Sequence, residues 1–177
     1  TIDAASVNVA LVNGVATYST SSLAVGAHTV SATYSGDASF NTSTGSLPTQ
    51  TVNKAGTTTS VASSVNPSIF GQSVTFTATL AAVAPGAGTP TGNVTFTIDS
   101  TPFVVASSGG VATYSTSALA VGPHTVSATY GGDAGFNGSS GSLPTQTVNK
   151  SSTSTSLTSA PNPSVFGQSV TFTATVS

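Results

Sequence analysis

Residues 14–41 read GVATYSTSSLAVGAHTVSATYSGDASFN, and residues 110–137 read GVATYSTSALAVGPHTVSATYGGDAGFN, so the same segment returns after 96 residues. When the comparison is extended to residues 14–54 and 110–150, the two copies are identical at 35 of 41 positions. Self-similarity at a fixed period is the sequence signature of a repeat architecture. The fold of this chain is therefore decided by the fold of one unit.

A second segment carries the same offset and defines the limits of the unit. NPSIFGQSVTFTAT begins at Asn66, and NPSVFGQSVTFTAT begins at Asn162. We therefore expect three parts. Residues 1–54 form the C-terminal part of one repeat, residues 55–150 form a complete repeat, and residues 151–177 form the N-terminal strands of a further repeat.

Apolar and hydroxyl side chains alternate in short runs within the complete unit. Between Val74 and Leu80, apolar residues alternate with threonines, a period of two that sends the apolar side chains to one face of a strand. No segment has the 3.6-residue period of an amphipathic helix. Seven strands are predicted, at Thr58–Ser63, Val74–Leu80, Val94–Ile98, Phe103–Ala106, Val111–Ser115, Val126–Tyr130 and Thr145–Val148. This pattern predicts an all-β fold of tandem immunoglobulin-like, seven-stranded antiparallel β-sandwiches arranged end to end.

The core of the unit must be built without cysteine or tryptophan, because the sequence contains neither. Aromatic side chains are predicted to supply most of the large core contacts, each contributing roughly 1.5–3 kcal/mol when fully buried. These residues are Phe70, Phe76, Phe96, Phe103, Tyr114, Tyr130 and Phe136. We expect Phe76, Phe96, Val126 and Ala128 to be buried, because they occupy the apolar positions of the clearest strands.

Charge is almost absent: 3% of the residues are charged, and the formal net charge is −2. The charged side chains are those of Asp3, Asp37, Asp99, Asp133, Lys54 and Lys150. Two lysines a full repeat apart cannot neutralise several phosphates, so we expect no nucleic-acid partner. No apolar run approaches the roughly 20 residues of a membrane-spanning helix, so we expect no membrane-spanning segment.

Four motifs follow one another in the complete unit: NPSIFGQSVTFTAT (66–79), GNVTFTID (92–99), LAVGPHTVSATYGGDAGFN (119–137) and QTVNK (146–150). The series resembles the bacterial immunoglobulin-like (Big) repeat domains of large secreted and cell-surface proteins, and the resemblance covers the whole chain. It implies a structural extracellular protein, either the stalk of a surface adhesin or the body of a fibre. Such domains share no active site, so the resemblance implies no enzyme, no catalytic residue and no cofactor. The alternative is a carbohydrate- or surface-binding module, which would require exposure of Phe103 or Tyr114.

Two sets of polar residues could carry chemistry. A Ser/His/Asp arrangement would require His124 to meet Asp99 or Asp133, but His124 lies at the start of a strand, where we expect a capping or edge residue. Asp133 and Asn137 offer oxygens at the first and fifth positions of a loop, as at the start of a calcium site. The acidic third position and the closing glutamate of such a site are missing. We therefore expect Asp133 to cap a turn and no metal to bind there.

The remaining candidates lie where one unit meets the next. Lys54 and Lys150 close TVNK segments, beside Asn53 and Asn149, and these four residues form the predicted inter-domain junction. We expect solvated lysines; an isopeptide bond to the neighbouring asparagine is the alternative, although adjacent residues of a strand point to opposite faces. Only about four to six residues separate each lysine from the next strand, so consecutive units should have little freedom to fold back. The expected partners are neighbouring repeats of the same chain and copies of the protein in a fibre.

The two incomplete parts cannot combine between neighbouring molecules into one whole unit. Thr1 corresponds to Thr97 and Ser177 to Ala81, so the combination would lack the counterparts of residues 82–96. Those residues include most of the Val94–Ile98 strand, and its loss argues against strand exchange. We therefore expect the sequence to be a window on a longer repetitive chain.

Overall fold

The computed structural model describes residues 1–177 and contains twelve β-strands and no helix. Residues 1–54 contain β1 (Gly26–Tyr34) and β2 (Ser43–Val52). Residues 55–150 contain β3 (Thr57–Ser63), β4 (Ser68–Ile69), β5 (Val74–Ala82), β6 (Asn93–Ile98), β7 (Thr101–Ala106), β8 (Val111–Thr116), β9 (Gly122–Tyr130) and β10 (Ser139–Asn149). Residues 151–177 contain β11 (Thr155–Ala160) and β12 (Thr171–Val176). The chain is all-β, as predicted, and it has no helix that could cross a lipid bilayer.

The complete repeat consists of two sheets. One has five strands in the order β4-β10-β9-β6-β7, and the other has three strands in the order β3-β5-β8. The ring of Phe96 on β6 lies 6.3 Å, centroid to centroid, from the ring of Tyr114 on β8, so side chains of the two sheets meet between them. Each predicted strand overlaps one of the long strands of this unit.

Two details of the predicted sheet are wrong. The short strand β4 brings the number of strands to eight, and it pairs with β10 in parallel, through Val148 beside Ser68, so the sandwich is not wholly antiparallel. β10 also begins at Ser139, six residues before the predicted start, and pairs with β9 over residues 139–143 and 146–148. The Ser- and Gly-rich start of β10 has no apolar alternation, and its register shifts between Leu143 and Gln146, around a proline that has no N–H to donate.

Eleven buried side chains form the core, and they come from both sheets. The three-stranded sheet supplies Val74, Phe76, Ala78, Leu80 and Ala112, and the five-stranded sheet supplies Val94, Phe96, Ile98, Val126, Ala128 and Tyr130. The expected burial of Phe76, Phe96, Val126 and Ala128 is confirmed. The period of two predicted the inward positions because alternate side chains of a strand point to opposite faces.

Phe70 is the exception among the predicted core aromatics. Its side chain is 57% exposed, whereas Phe103, Tyr114 and Phe136 pack partly buried against the core. The buried position at this edge belongs to Ser68, and the chain then turns at Gly71, whose φ is +82°. Phe70 therefore lies in a turn outside the sandwich.

The incomplete repeats contain hairpins with exposed faces. Among the strands, β1 pairs only with β2 and β11 only with β12; β1 also forms an isolated bridge from Val30 to Ile2. Phe172 on β12 is 70% exposed, although its counterpart Phe76 in the complete repeat is 0% exposed. The side chain at this position of the repeat is therefore buried only where both sheets are present.

Candidate functional site

The hairpin turn between β6 and β7 holds a carboxylate against the start of β9. Asp99 and Ser100 form this two-residue turn, and both have left-handed backbones, with φ of 45° and 73°. Asp99 Oδ1 accepts a hydrogen bond from the backbone N–H of Thr125 at 2.9 Å, and Oδ2 lies 2.5 Å from His124 Nδ1. The spacing of 25 residues becomes a direct contact because β6 and β9 are neighbours in the sheet.

The imidazole of His124 lies between two acceptors. Its Nε2 is 2.7 Å from the backbone oxygen of Ala120, while its Nδ1 faces Asp99. A carboxylate and a carbonyl only accept, so both ring nitrogens must donate, and the geometry favours the charged ring. The hydrogen bond to Asp99 raises the pKa of His124, against an opposing effect of burial. The same bond lowers the pKa of Asp99.

This arrangement recurs in the first part of the chain. His28 Nδ1 lies 2.5 Å from Asp3 Oδ2, and His28 Nε2 lies 2.8 Å from the oxygen of Ala24. We call each of these two arrangements a histidine latch. The recurrence indicates that the latch is part of the repeat and does not depend on the completed core.

The histidine latch ties strands together and leaves no ring nitrogen free for proton transfer. Of the two aspartates considered as partners of His124, the structure brings Asp99 to it, while Asp133 bonds elsewhere. Because Nε2 is occupied by a backbone carbonyl, it is not bonded to any serine hydroxyl that it could activate. His124 lies near the start of β9, as predicted. Its side chain is nevertheless buried and does not lie at an exposed edge.

The loop between β9 and β10 is organised around the Asp133 carboxylate. Oδ1 accepts hydrogen bonds from the backbone N–H groups of Gly135 and Phe136, at 2.9 Å each. Oδ2 accepts from the backbone N–H of Thr91 at 2.9 Å and from its hydroxyl at 2.8 Å. These bonds, that of the Thr91 backbone first, hold the pKa of Asp133 far below its usual range. The predicted turn cap is confirmed, and it also ties this loop to the segment before β6.

Asn137 does not join Asp133 in a common ligand set. Its side-chain nitrogen donates to the backbone oxygen of Lys54 at 3.4 Å. No group of three His, Cys, Asp or Glu side chains that could hold a metal ion occurs in the chain. The absence of a metal at this loop remains a prediction.

The β9–β10 loop binds the segment that joins the first repeat to the second. The backbone N–H of Ala55 donates to the oxygen of Gly135 at 2.9 Å, and the N–H of Asn137 donates to the oxygen of Ala55 at 2.9 Å. The hydroxyl of Thr57 donates to the oxygen of Asn137 at 2.8 Å. Lys54 adds a bond from its ammonium to the backbone oxygen of Asp133, at 2.5 Å. We call residues 54–57 the junction segment.

The β5–β6 loop holds the junction segment from a second direction. The backbone N–H of Val83 donates to the oxygen of Gly56 at 2.9 Å. A Cβ placed on Gly86 would lie 2.4 Å from the Cβ of Ala55, so no larger residue fits there without movement. The junction segment is therefore packed between two loops of the repeat that follows it.

Lys54 is exposed, in line with the expected solvated lysine, and its ammonium also donates to the backbone oxygen of Asp133. The Lys150 side chain makes no hydrogen bond, and the residues that follow it form β11 and β12. Asn53 forms no hydrogen bond with Lys54, and Asn149 uses its backbone oxygen to accept from the N–H of Phe70 at 2.8 Å. The ammonium of Lys54 thus contacts a backbone oxygen and not the side chain of the neighbouring asparagine, as the isopeptide alternative would require. Sequence reasoning missed the β9–β10 loop as its partner because that loop lies about 80 residues away in the chain.

Phe103 and Tyr114, the two aromatics that the binding alternative requires, stack on each other. Their centroids are 4.3 Å apart at an interplanar angle of 25°, and both are half-buried. They line an open cavity of about 460 Å³ together with Asp99 and His124. The rings close the gap between β7 and β8, and they do not form a flat exposed platform.

Two facing sheets in this strand order define an immunoglobulin-like β-sandwich, and parts of its sequence recur on either side of it. The chain matches the family described as bacterial Ig-like domain (group 3) twice, over residues 1–53 and 58–149. It belongs to that family. No curated protein and no solved structure matches the chain. The residues between the two family matches, 54–57, are those of the junction segment.

Proposed function

We propose that this chain is a structural part of an extracellular or cell-surface protein, in which consecutive immunoglobulin-like sandwiches lie end to end as the stalk of an adhesin or the body of a fibre. Its work is mechanical: it holds a set distance, and it has no catalytic role. Neighbouring repeats of the same chain are its principal partners, with copies of the protein as further partners in a fibre.

The observation that carries this proposal is the packed junction segment. Five hydrogen bonds join it to the β9–β10 loop: Lys54, Ala55 and Thr57 donate one each, and Asn137 donates two. A flexible linker between independent modules would leave its backbone solvated. Here Ala55 and Thr57 are already part of the following repeat, so few residues remain to act as a flexible linker between the units.

The near identity of the repeats supports the same role. The β1–β2 loop and the equivalent β9–β10 loop differ by small-residue exchanges, of Ser35 for Gly131, Ser39 for Gly135 and Thr42 for Gly138. A spacer requires the same geometry in every unit, whereas an array that reads different ligands would diversify its loops. The carbohydrate- or surface-binding alternative has less support, because Phe103 and Tyr114 stack on each other and so bury part of the ring surface that a ligand would contact.

Trypsin tests the proposal, because Lys54 and Lys150 are its only cleavage sites in the sequence. Under native conditions we expect the bond after Lys150 to be cut first and the bond after Lys54 to resist, since only Lys54 is held by a following repeat. Mass spectrometry over time measures both rates in one sample. Equal rates would mean that the junction segment is a loose linker, and a stalk or fibre role would lose its main support.

A variant sharpens the test. Asp133→Ala removes the acceptor that organises the β9–β10 loop, so cleavage after Lys54 should accelerate. Asp37→Ala is the matched control: Asp37 caps the equivalent loop of the first repeat through Ser39 and Phe40, and that loop makes no bond to Lys54. Acceleration by the control to the same extent would contradict the assignment of the β9–β10 loop as the anchor.

A further inference from the structure

A cleft lies beside the junction segment. It has a volume of about 410 Å³ and is lined by residues 53–56 and 83–86. Val83, Ala84 and Pro85 give one wall an apolar surface, and the side chain of Val83 is 45% exposed. Nothing in residues 1–52 lines this cleft, so its apolar wall is open at the end of the repeat that faces the preceding unit.

The opposite end of the complete repeat presents an apolar turn. Ile69 and Phe70 are both at least half exposed. Gln72 fixes the turn twice: its backbone N–H donates to the oxygen of Ile69 at 3.0 Å, and its side-chain oxygen accepts from the N–H of Ile69 at 3.0 Å. The Phe70 ring is therefore held outside the sandwich by a preformed turn, which lowers the entropic cost of docking it.

Equivalent asparagines, Asn149 and Asn53, lie beside the Phe70 turn and the cleft. Phe70 donates its backbone N–H to Asn149, and Asn149 is the counterpart of Asn53, which lines the cleft. The turn beside Asn149 thus projects toward the place where the next repeat begins. The third unit retains an apolar pair in the counterpart turn, Val165 and Phe166.

We infer that the Ile69–Phe70 turn of one repeat docks into the cleft formed by Ala55 and Val83–Gly86 of the repeat that follows it. The occupant of the cleft is thus a neighbouring repeat of the same chain. The inference rests on the proposed function in that it takes consecutive repeats to lie end to end. It adds a specific apolar contact that sets the angle between them. The two surfaces are at opposite ends of one unit, so the contact is head-to-tail and repeats without closing.

Neither surface carries an ionised group apart from Lys54, whose ammonium donates to the backbone oxygen of Asp133. Shape and apolar burial would therefore govern the contact, and salt should have little effect on it. Apart from Lys54, neither surface offers a charged partner a complementary group.

Tryptophan fluorescence tests the inference, because the sequence contains no tryptophan. A second copy of residues 55–150 is inserted after Lys150, so that the copied residues follow that lysine as Ala55 follows Lys54. The inserted copy carries all eleven core residues. A Phe70→Trp substitution is then placed either in the upstream copy, which a complete repeat follows, or in the downstream copy, which only residues 151–177 follow.

We expect the upstream tryptophan to emit at shorter wavelength and to be quenched several-fold less by acrylamide than the downstream tryptophan. A Val83→Asp substitution in the downstream copy should then return the upstream tryptophan to the exposed signal. Val104→Trp, at a position 65% exposed on β7, gives the reference for a solvated ring.

An upstream tryptophan as accessible as Val104→Trp would overturn the inference. Small-angle scattering on the same protein separates this failure from that of the proposed function. An extended particle with an exposed upstream tryptophan would leave the rod intact and remove the docking contact. A compact or freely jointed particle would remove the rod as well.

Discussion

Single residues in left-handed backbone conformations shape the turns of this repeat. Ser100 has a φ of 73° in the two-residue turn between β6 and β7, a region that costs a residue with a Cβ energy. The turn between β7 and β8 also requires left-handed backbone conformations, and there the residues are Gly109 and Gly110, with φ of 59° and 78°. At the first of these positions the preceding repeat has Asn13, which also tolerates this region.

Ser100→Gly should therefore stabilise the complete repeat, by about 1 kcal/mol, because glycine adopts this backbone without steric strain. Chemical denaturation followed by circular dichroism measures the change. Ala106→Gly is the control, since Ala106 lies in β7 with an ordinary extended backbone, where glycine should destabilise by roughly 0.5–1 kcal/mol. Equal effects of the two changes would contradict a strained turn.

The histidine latch should make the stability of the repeat depend on pH. The pKa of His124 is raised above its ordinary 6.5, so its contribution is complete below that pH and is lost as the pH rises through the raised value. The pKa of Asp99 is lowered below its ordinary 3.8, so its contribution is complete above that pH and is lost as the pH falls through the lowered value. The melting temperature should be highest between these two ordinary values and fall toward alkaline pH.

His124→Gln should flatten this alkaline decline and lower the melting temperature at pH 5 to 6, because the charged donor is lost. His28→Gln is the matched control: it removes the latch of the first repeat, which has no closed core to stabilise. Circular dichroism melts from pH 5 to 9 compare the three proteins. If the decline persisted in His124→Gln, its source would lie outside the latch.

At the scale of strands, the segment VATYST shows what sequence patterns can and cannot predict. It occurs at residues 15–20 and again at residues 111–116. The second occurrence is β8, paired with β5 from Val74 to Thr79, whereas residues 16–20 form no strand. The pattern correctly predicts a strand, but the hydrogen bonds that make it one come from a partner elsewhere in the chain.

The same reasoning explains the elements that the sequence did not predict. β4 has two residues, too few for a period of two to be visible, and it exists because β10 offers hydrogen bonds at Val148 and Asn149. Asp99 and His124 recur in the first repeat with the same spacing as Asp3 and His28, which was a usable signal. The spacing of Asp99 and His124 predicts a contact only when the strand order is known. The sequence could therefore suggest this pair as a candidate site, but it could not establish that the two side chains meet.

Identical strands in different settings allow a direct test of burial. Phe76 and Phe172 occupy equivalent positions of the segment VTFTAT, but only Phe76 is buried. Phe76→Ala should destabilise the complete repeat by about 3–5 kcal/mol through lost burial and the remaining cavity. Phe172→Ala should leave the unfolding free energy within about 0.5 kcal/mol, as for an exposed site. Denaturant unfolding of both variants measures the difference, and a large effect at Phe172 would reveal a partner that covers β12.

At the scale of the whole molecule, the question is how length grows with the number of repeats. The longest strands of the complete unit have nine to eleven residues, and strands rise about 3.3 Å per residue. With the loops at both ends, we estimate a rise of roughly 40 Å per repeat for sandwiches placed end to end. Insertion of one and then two further copies of residues 55–150 after Lys150 gives a series with an identical junction segment each time.

Small-angle scattering should show the maximum dimension of this series increasing by roughly the same 40 Å with each added repeat. Units on flexible linkers would behave differently, because their mean end-to-end distance grows with about the square root of their number. The Asp133→Ala substitution in every copy provides the control: it leaves the number and size of the units unchanged but frees the junction segment. A linear increase that becomes sublinear in the Asp133→Ala series would trace the stiffness of the rod to hydrogen bonds around a single loop. A sublinear increase in both series would mean that the packed junction segment does not prevent bending, so the fixed spacing that a stalk requires would have to come from another contact.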